Sequence, residues 1–191
     1  MDIGCNDGSF TAKIAEITKA KKTYGIEVDI NQANATIQQG VRVKICDLNK
    51  PFPFENNFFD IITANQVVEH LYDHDNFFGE MRRILKKGGF FKISTLNLCA
   101  WHNIAFTILG MQPPGMHLCK VQMGNFLYGT ETHGHIKLFS PKALRDIAKY
   151  YGFTIGRMRG SGYYPLIGPL AFFFSKLDKT HSVYIMISGY K

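Results

Sequence analysis

The sequence predicts an α/β domain, with one mostly parallel sheet held between two layers of helices. Three observations predict it. Short runs rich in β-branched and aromatic residues alternate with longer stretches of helical period, as in a sheet built through crossover helices. Several of those runs are almost continuously apolar, as strands covered on both faces require. At 191 residues, with 46% hydrophobic and 19% charged, the chain also has the length and balance of one globular domain with a sizeable core.

Seven strands are expected, over residues 1–3, 23–28, 41–46, 58–64, 89–95, 153–159 and 182–188, the first of them truncated. A helix over 75–87 sets Phe77, Phe78, Met81, Ile84 and Leu85 on one face, and Gly88 with Gly89 stops it. Ser140 is a good N-cap with Pro141 at the first helical position. The helix it starts buries Leu144, Ile147, Ala148 and Tyr151 and ends at Gly152. Residues 9–22 form a weaker helix, with Phe10, Ile14 and Ile17 on its inner side. From 97 to 139 the period fails among Pro113-Pro114, several glycines and four histidines. A long irregular stretch inside a compact domain is usually functional. It is read as a substrate-side insertion in a single domain spanning 1–191.

Charge and cysteine usage narrow the classes. The net charge is +7, from 22 basic and 15 acidic side chains. Lys19, Lys21 and Lys22, and Arg82, Arg83, Lys86 and Lys87, sit late in expected helices, where cations complement the helix dipole. An acidic substrate or RNA stays open. Cys5, Cys46, Cys99 and Cys119 form no CxxC pair, so neither a zinc site nor a disulfide framework is expected, and no metal is assigned. Three of the four lie in or beside apolar runs and read as small buried residues. No run reaches the roughly 18 consecutive apolar residues of a membrane span. No secretory signal precedes the first motif, and a cytoplasmic location is the expectation.

The chemistry is concentrated in "MDIGCNDGSF", which puts an acid and two glycines on a strand-to-helix turn. Gly4 allows a tight turn, and Gly8 allows close approach with no Cβ in the way. Glu27, in "YGIEVD", follows at the end of the second strand, where an acid can accept hydrogen bonds from ribose hydroxyls. The dinucleotide fingerprint G-x-G-x-x-G is not met. Asn6 holds its middle position and no third glycine follows, so a pyrophosphate cofactor fits poorly.

Downstream residues add to this loop. "DIGCNDGSF" resembles the first motif of class I S-adenosylmethionine-dependent methyltransferases, and "GIEVD" resembles the second. "CDLNKPFPFENNFFDIITANQVVEHL" is similar to the third and fourth, and "FFGEMRRILKKGGFFKIST" to the helix and fifth strand that follow. The resemblance spans essentially the whole chain and is closest to small-molecule types, including enzymes associated with methionine biosynthesis. It implies a Rossmann-like three-layer sandwich of seven strands, mostly parallel, with an antiparallel strand near the C-terminus. It also implies S-adenosylmethionine as cofactor and S-adenosylhomocysteine as product.

Carried over by position, Asp2 and Gly4 would line the methionine end, within a loop that also holds Asn6 and Gly8. Glu27, with Val28 beside it, would hold the ribose. Asp47 would accept from the adenine amino group while the Leu48 backbone meets the ring. The Ala64 carbonyl, next to Asn65, would accept from the ammonium group. Asn6 departs from the usual glycine, but Asn tolerates left-handed backbone better than most residues. Family members also carry a further helix and strand start upstream of this loop.

Methyl transfer from a sulfonium needs alignment, exclusion of water, and a base only if the nucleophile keeps a proton. The cofactor motifs therefore leave the acceptor unread. "ANQVVEHL" lacks an Asn-Pro-Pro-Tyr type motif, no cysteine lies in a Pro-Cys context, and no acidic set resembles the magnesium site of catechol-type enzymes. The expected partner is a small or lipid-like methyl acceptor rather than nucleic acid, with a homodimer possible. The rivals are an RNA methyltransferase and a non-catalytic cofactor-binding protein. No catalytic residue is assigned. His133 and His135 are candidates for proton transfer, whereas His70, in the "EHL" helix start, reads as structural. Trp101 with His102 is open between pocket wall and core. The apolar run 163–177 reads as core or dimer contact, with an acceptor pocket wall or a membrane contact as alternatives.

Overall fold

The computed structural model of the chain describes residues 1–127 and 129–191. The sheet is built of β1 (Asp2–Ile3), β2 (Tyr24–Glu27), β3 (Arg42–Ile45), β4 (Phe59–Asn65), β5 (Leu85–Leu96), β6 (Thr154–Ser161) and β7 (Tyr184–Tyr190). Their spatial order is β3-β2-β1-β4-β5-β7-β6. All neighbours are parallel except β7, which runs antiparallel to both β5 and β6. From β1 the chain builds outward through β2 and β3, then returns to β4 on the other side. Right-handed crossovers put helices from the two halves on opposite faces. The carboxyl ends of β1 and β4 flank the reversal point, where open α/β sheets bind ligands.

The helices are α1 (Ser9–Thr18), α2 (Ile30–Gln38), α3 (His74–Ile84), α4 (Trp101–Ile108), α5 (Pro141–Tyr150) and α6 (Gly168–Leu177), with a 3₁₀ turn at Val68–His70. Asp73 caps α3 by accepting from the Asn76 amide. The helix drives Phe77, Phe78, Met81 and Ile84 into full burial against Phe91, Ile93, Ile185 and Ile187. Ser140 caps α5 through the Ala143 amide, and Leu144 and Ala148 are fully buried.

The structure departs from the sequence reading in several places. Helix α3 ends at Ile84, because Leu85 is already extended and pairs with Phe59 of β4. Residues 86–89 form an irregularity in the ladder before regular pairing with β4 resumes at Phe90, and β5 as a whole is 12 residues long. On α1 the inner position is Thr11, whereas Phe10 and Ile17 are 39% and 80% exposed. A hydrogen bond from Thr11 to Asp2 turns that face inward instead of the apolar one. Helix α2 went unread because its sequence, INQANATIQ, is polar; it starts where Asp29 accepts from the Asn31 and Gln32 amides. Only Cys5 is buried, Cys46 and Cys99 being half-buried and Cys119 exposed. The run 163–177 does not enter the core. It becomes α6, which buries only Ala171 and Ser175.

Phe77→Ala is expected to cost about 3–5 kcal/mol, the usual range for deleting a fully buried ring. Urea unfolding checks this, and a loss below 1 kcal/mol would mean that α3 is not part of the main core.

Candidate cofactor site

The loop after β1 is held by its own backbone. The amides of Gly4 and Cys5 both donate to the Ile26 carbonyl of β2, and Gly8 donates to Cys5. Gly4, Asn6 and Gly8 all have positive φ, at 71°, 45° and 80°. A Cβ on Gly4 would lie 2.5 Å from Cγ2 of Val67, and one on Gly8 would lie 2.9 Å from Cα of Thr36. The close approach at Gly8 is therefore made by α2, whose Thr36 hydroxyl also donates to the Asn6 carbonyl. Asn6 takes the left-handed conformation that the usual glycine would, and its amide donates to Glu27 Oε2 at 2.9 Å.

Beneath the loop, Asp2 is buried, with Oδ2 accepting from Thr11 (2.5 Å) and Oδ1 from Thr63 (2.6 Å). Burial pushes its carboxyl above the ordinary range, and the two hydroxyls pull it back. Glu27 accepts from the amides of Val28 (2.8 Å) and Asp29 (3.1 Å) through Oε1, in addition to Asn6. A carboxylate has about four acceptor sites, so capacity for a ribose hydroxyl remains. Asp47 accepts from the Asn49 backbone and side-chain amides, both at 2.9 Å, which holds its carboxyl below the ordinary range. Asp47 thus forms a turn and faces the cavity with the same side chain.

These groups surround a cavity of about 590 Å³ at the reversal point. Asp2, Gly4, Asn6, Glu27, Val28, Asp47, Leu48 and Asn65 line it, while Gly8 and Ala64 do not. Gly8 lies behind the loop against α2. Ala64 is a buried strand residue in register with Ile93, and the Asn65 side chain accepts from Ser94. The mixture of the acids Glu27 and Asp47, the tight Gly4 turn, and apolar Phe10, Leu48 and Leu71 in the wall suits a ligand that joins a nucleoside to an amino acid, as S-adenosylmethionine does.

The cavity wall at the 3₁₀ turn is assembled from residues distant in sequence. Glu69 is fully buried on the 3₁₀ turn, with its carboxylate accepting from Thr95 Oγ1 at 2.8 Å. Burial pushes its carboxyl up to about 7, against hydrogen bonds that lower it. Its backbone carbonyl accepts from the Ile136 and Lys137 amides, which clamps the irregular segment onto the turn. His70 lines the cavity, and its ring lies 4.8 Å from that of His135. His135 stacks on His117 at 4.6 Å, and burial with the neighbouring His70 and His117 pulls it down to about 4. His133 is exposed, and neither it nor His135 lines the cavity. Ligand atoms of Glu69, His70 and His135 lie within 4.8 Å of one another, close enough to share a cation. Sequence reading missed the grouping of Glu69 with His117 and His135, because 47 residues separate His70 from His117 and no local spacing signals the contact.

The fold and cavity define a class: a Rossmann-like nucleotide-binding domain with acids where a nucleoside would sit. The family described as Methyltransferase domain matches residues 1–156, and the chain belongs to that family. S-adenosylmethionine is the cofactor that this membership implies. The chain is 26% identical to the human mitochondrial ubiquinone biosynthesis O-methyltransferase, over 88% of this chain and 44% of that protein. It is 36% identical to the ubiquinone biosynthesis O-methyltransferase of Bradyrhizobium sp., over 76% and 63%. It thus spans about half the length of the mammalian relatives, between 44% and 48%. Among solved structures, an S-adenosylmethionine-dependent methyltransferase of Methanosarcina mazei superposes with a TM-score of 0.70. The identity is 16%, over 100% of this chain and 90% of that one. The [4+2]-cyclase SpnF superposes at 0.65, with 17% identity over 100% and 74%. At such identities the structural likeness shows the fold alone.

Glu27→Ala is expected to weaken S-adenosylmethionine binding by about 1–3 kcal/mol in calorimetry; unchanged affinity would remove Glu27 from the ribose site. Glu69, raised from its ordinary 4.5 to about 7, stabilises the fold only while protonated. Its contribution is complete below about 4.5 and is lost as pH rises through 7. Unfolding measured with a chelator present should show that loss, and Glu69→Gln should flatten it; an equal slope in both proteins would rule out Glu69 as its source.

Proposed function

We propose that the chain catalyses S-adenosylmethionine-dependent methyl transfer to a hydroxyl oxygen of a small or lipid-like aromatic metabolite. The observation that carries this reading is His70, placed on the wall of the cofactor cavity. Its Nδ1 lies 3.3 Å from the Gly134 carbonyl. A carbonyl only accepts, so that contact assigns the proton to Nδ1 and leaves Nε2 as an acceptor. Burial lowers the His70 pKa from 6.5, which keeps the ring neutral at neutral pH. A neutral imidazole beside an acceptor pocket suits an O–H nucleophile, which must shed a proton as it attacks. The names of the relatives, which are O-methyltransferases, support the same atom type.

When bound, S-adenosylmethionine supplies a methyl group already activated on a sulfonium and leaves as S-adenosylhomocysteine. The protein's work is positional. Glu27 and Asp47 hold the nucleoside, the Gly4 turn fixes the methionine end, and Leu71 and Val67 keep water from the reacting atoms. His70 takes the hydroxyl proton at Nε2. The segment 97–139, clamped to the 3₁₀ turn through Glu69, is assigned to the acceptor side.

His70→Gln is expected to lower kcat by about 10²–10⁴-fold with S-adenosylmethionine affinity nearly unchanged. The wild-type rate should fall as pH drops through a value below 6.5, the His70 ring then being protonated. The assay is transfer of labelled methyl to a panel of hydroxylated small and lipid-like acceptors. Cofactor binding without turnover on any hydroxylated acceptor would refute the enzyme reading, and full activity in His70→Gln would refute the base.

A further inference from the structure

Helix α6 carries two stripes. The inner one, Ala171 and Ser175, packs on the protein. The outer one is Leu170, Phe173, Phe174 and Leu177, an i, i+3, i+4, i+7 series that normally marks a face turned to a core. Here it faces solvent: Leu170 is 60% exposed, Phe173 56% and Leu177 68%, with Ile167 at 85% just ahead of the helix. The surface is held in place rather than loose. Tyr163, before α6, receives a hydrogen bond from Trp101 Nε1 (2.7 Å) and donates to Asp178 at its C-terminal end (2.8 Å). Trp101 stacks on His181 at 4.3 Å.

We propose that this outer stripe docks on an anionic lipid bilayer. Tyr164, just before the helix, and Trp101, whose indole N–H is held by Tyr163, are both exposed aromatic side chains of the kind enriched at a headgroup boundary. The Lys176 ammonium lies 4.0 Å from the centroid of the Phe172 ring, which puts a positive charge at the border of the apolar surface. Lys176 and Lys179 are exposed, and residues 163–177 contain no acid. The chain as a whole carries +7. Apolar burial and cationic attraction therefore act from one surface, as interfacial helices require. A second copy of the chain fits less well. A stable dimer buries about 800 Å² per partner, more than the side chains of one short helix supply on their own. No helix among the described residues is long and apolar enough to cross a membrane, so contact would be at the surface.

The position gives the contact a use. Ser161, ending β6, and Leu96, ending β5, are both in register with Tyr184. Helices α4 and α6 therefore leave the sheet at the same rim as the cofactor cavity. Docking through α6 brings that rim to the bilayer, where a lipid-like acceptor would be drawn. The docking inference rests on the stripe and the charge, not on the identity of the acceptor.

Vesicle sedimentation tests it, with phosphatidylcholine alone and with about 30% phosphatidylglycerol added. The wild-type chain should partition onto the anionic vesicles at least about tenfold better than onto the neutral ones. Leu170→Ser with Phe173→Ser should lose about tenfold on the anionic vesicles. Circular dichroism and S-adenosylmethionine affinity in that variant should stay unchanged. Should that pair fail to fold, Lys176→Glu with Lys179→Glu, on the surface, should still lose binding several-fold. Equal sedimentation of wild type and both variants would overturn the proposal. So would a wild-type dimer that the serine pair converts to monomer while no vesicle binds. Either negative result, with S-adenosylmethionine affinity intact, would leave the methyl-transfer reading standing.

Discussion

One buried carboxylate joins the three elements that meet at the sheet's reversal point. Asp2 sits on a two-residue strand and accepts from Thr11 on α1 and Thr63 on β4. Removing a charged group from water is costly unless its oxygens are hydrogen-bonded, and both oxygens here are. The two hydroxyls thus fix the strand, the helix and the neighbouring strand in one arrangement. The Gly4 turn follows directly, and Val67, whose Cγ2 a Gly4 side chain would strike, comes from the segment just after β4. The Gly4 turn and the segment that follows β4 are therefore positioned by one local network.

That constraint also accounts for what was legible in the sequence. Strands such as β1, β4 and β7 could be read because they bury apolar residues and show as apolar runs, whereas the edge strands β3 and β6 are largely exposed and carry that signal weakly. α5 could be read because its cap, its Pro at N1 and its stripe agree. The face of α1 could not. Periodicity pointed to Phe10 and Ile17, yet the helix turns Thr11 inward because a buried acid needs its hydroxyl. A polar inner face leaves no hydrophobic period to detect, and α2, with buried Ala33 and Thr36, escaped for the same reason.

The site divides along the same line. One part of the cavity comes from the carboxyl ends of β1 to β4 and the loops that follow, so local motifs named Glu27, Asp47 and Asn65, and all three line the cavity. Gly8 was named by motif as well, but its missing Cβ serves the approach of α2 rather than a ligand. The part around His70 depends on contacts across long separations. His70 meets Gly134 and His135 only because the Glu69 carbonyl holds the Ile136 and Lys137 amides. No spacing rule on one chain reports a contact of that kind.

Glu69 is the residue on which the two parts converge. Its backbone carbonyl anchors the irregular segment, and its side chain is buried against Thr95 near the end of β5. With the Gln66 amide oriented to satisfy both its ends, the nitrogen donates to Glu69 Oε1 at 3.1 Å and the oxygen accepts from the Thr95 amide. Gln66 itself lines the cavity at a positive φ of 56°. A change in the charge of Glu69 would thus reach the cavity wall through Gln66 and the histidine cluster through the neighbouring His70. The polar contacts of this short turn link the cavity wall to the histidine cluster, while α3 and the sheet behind it supply the rigidity that keeps the turn in place.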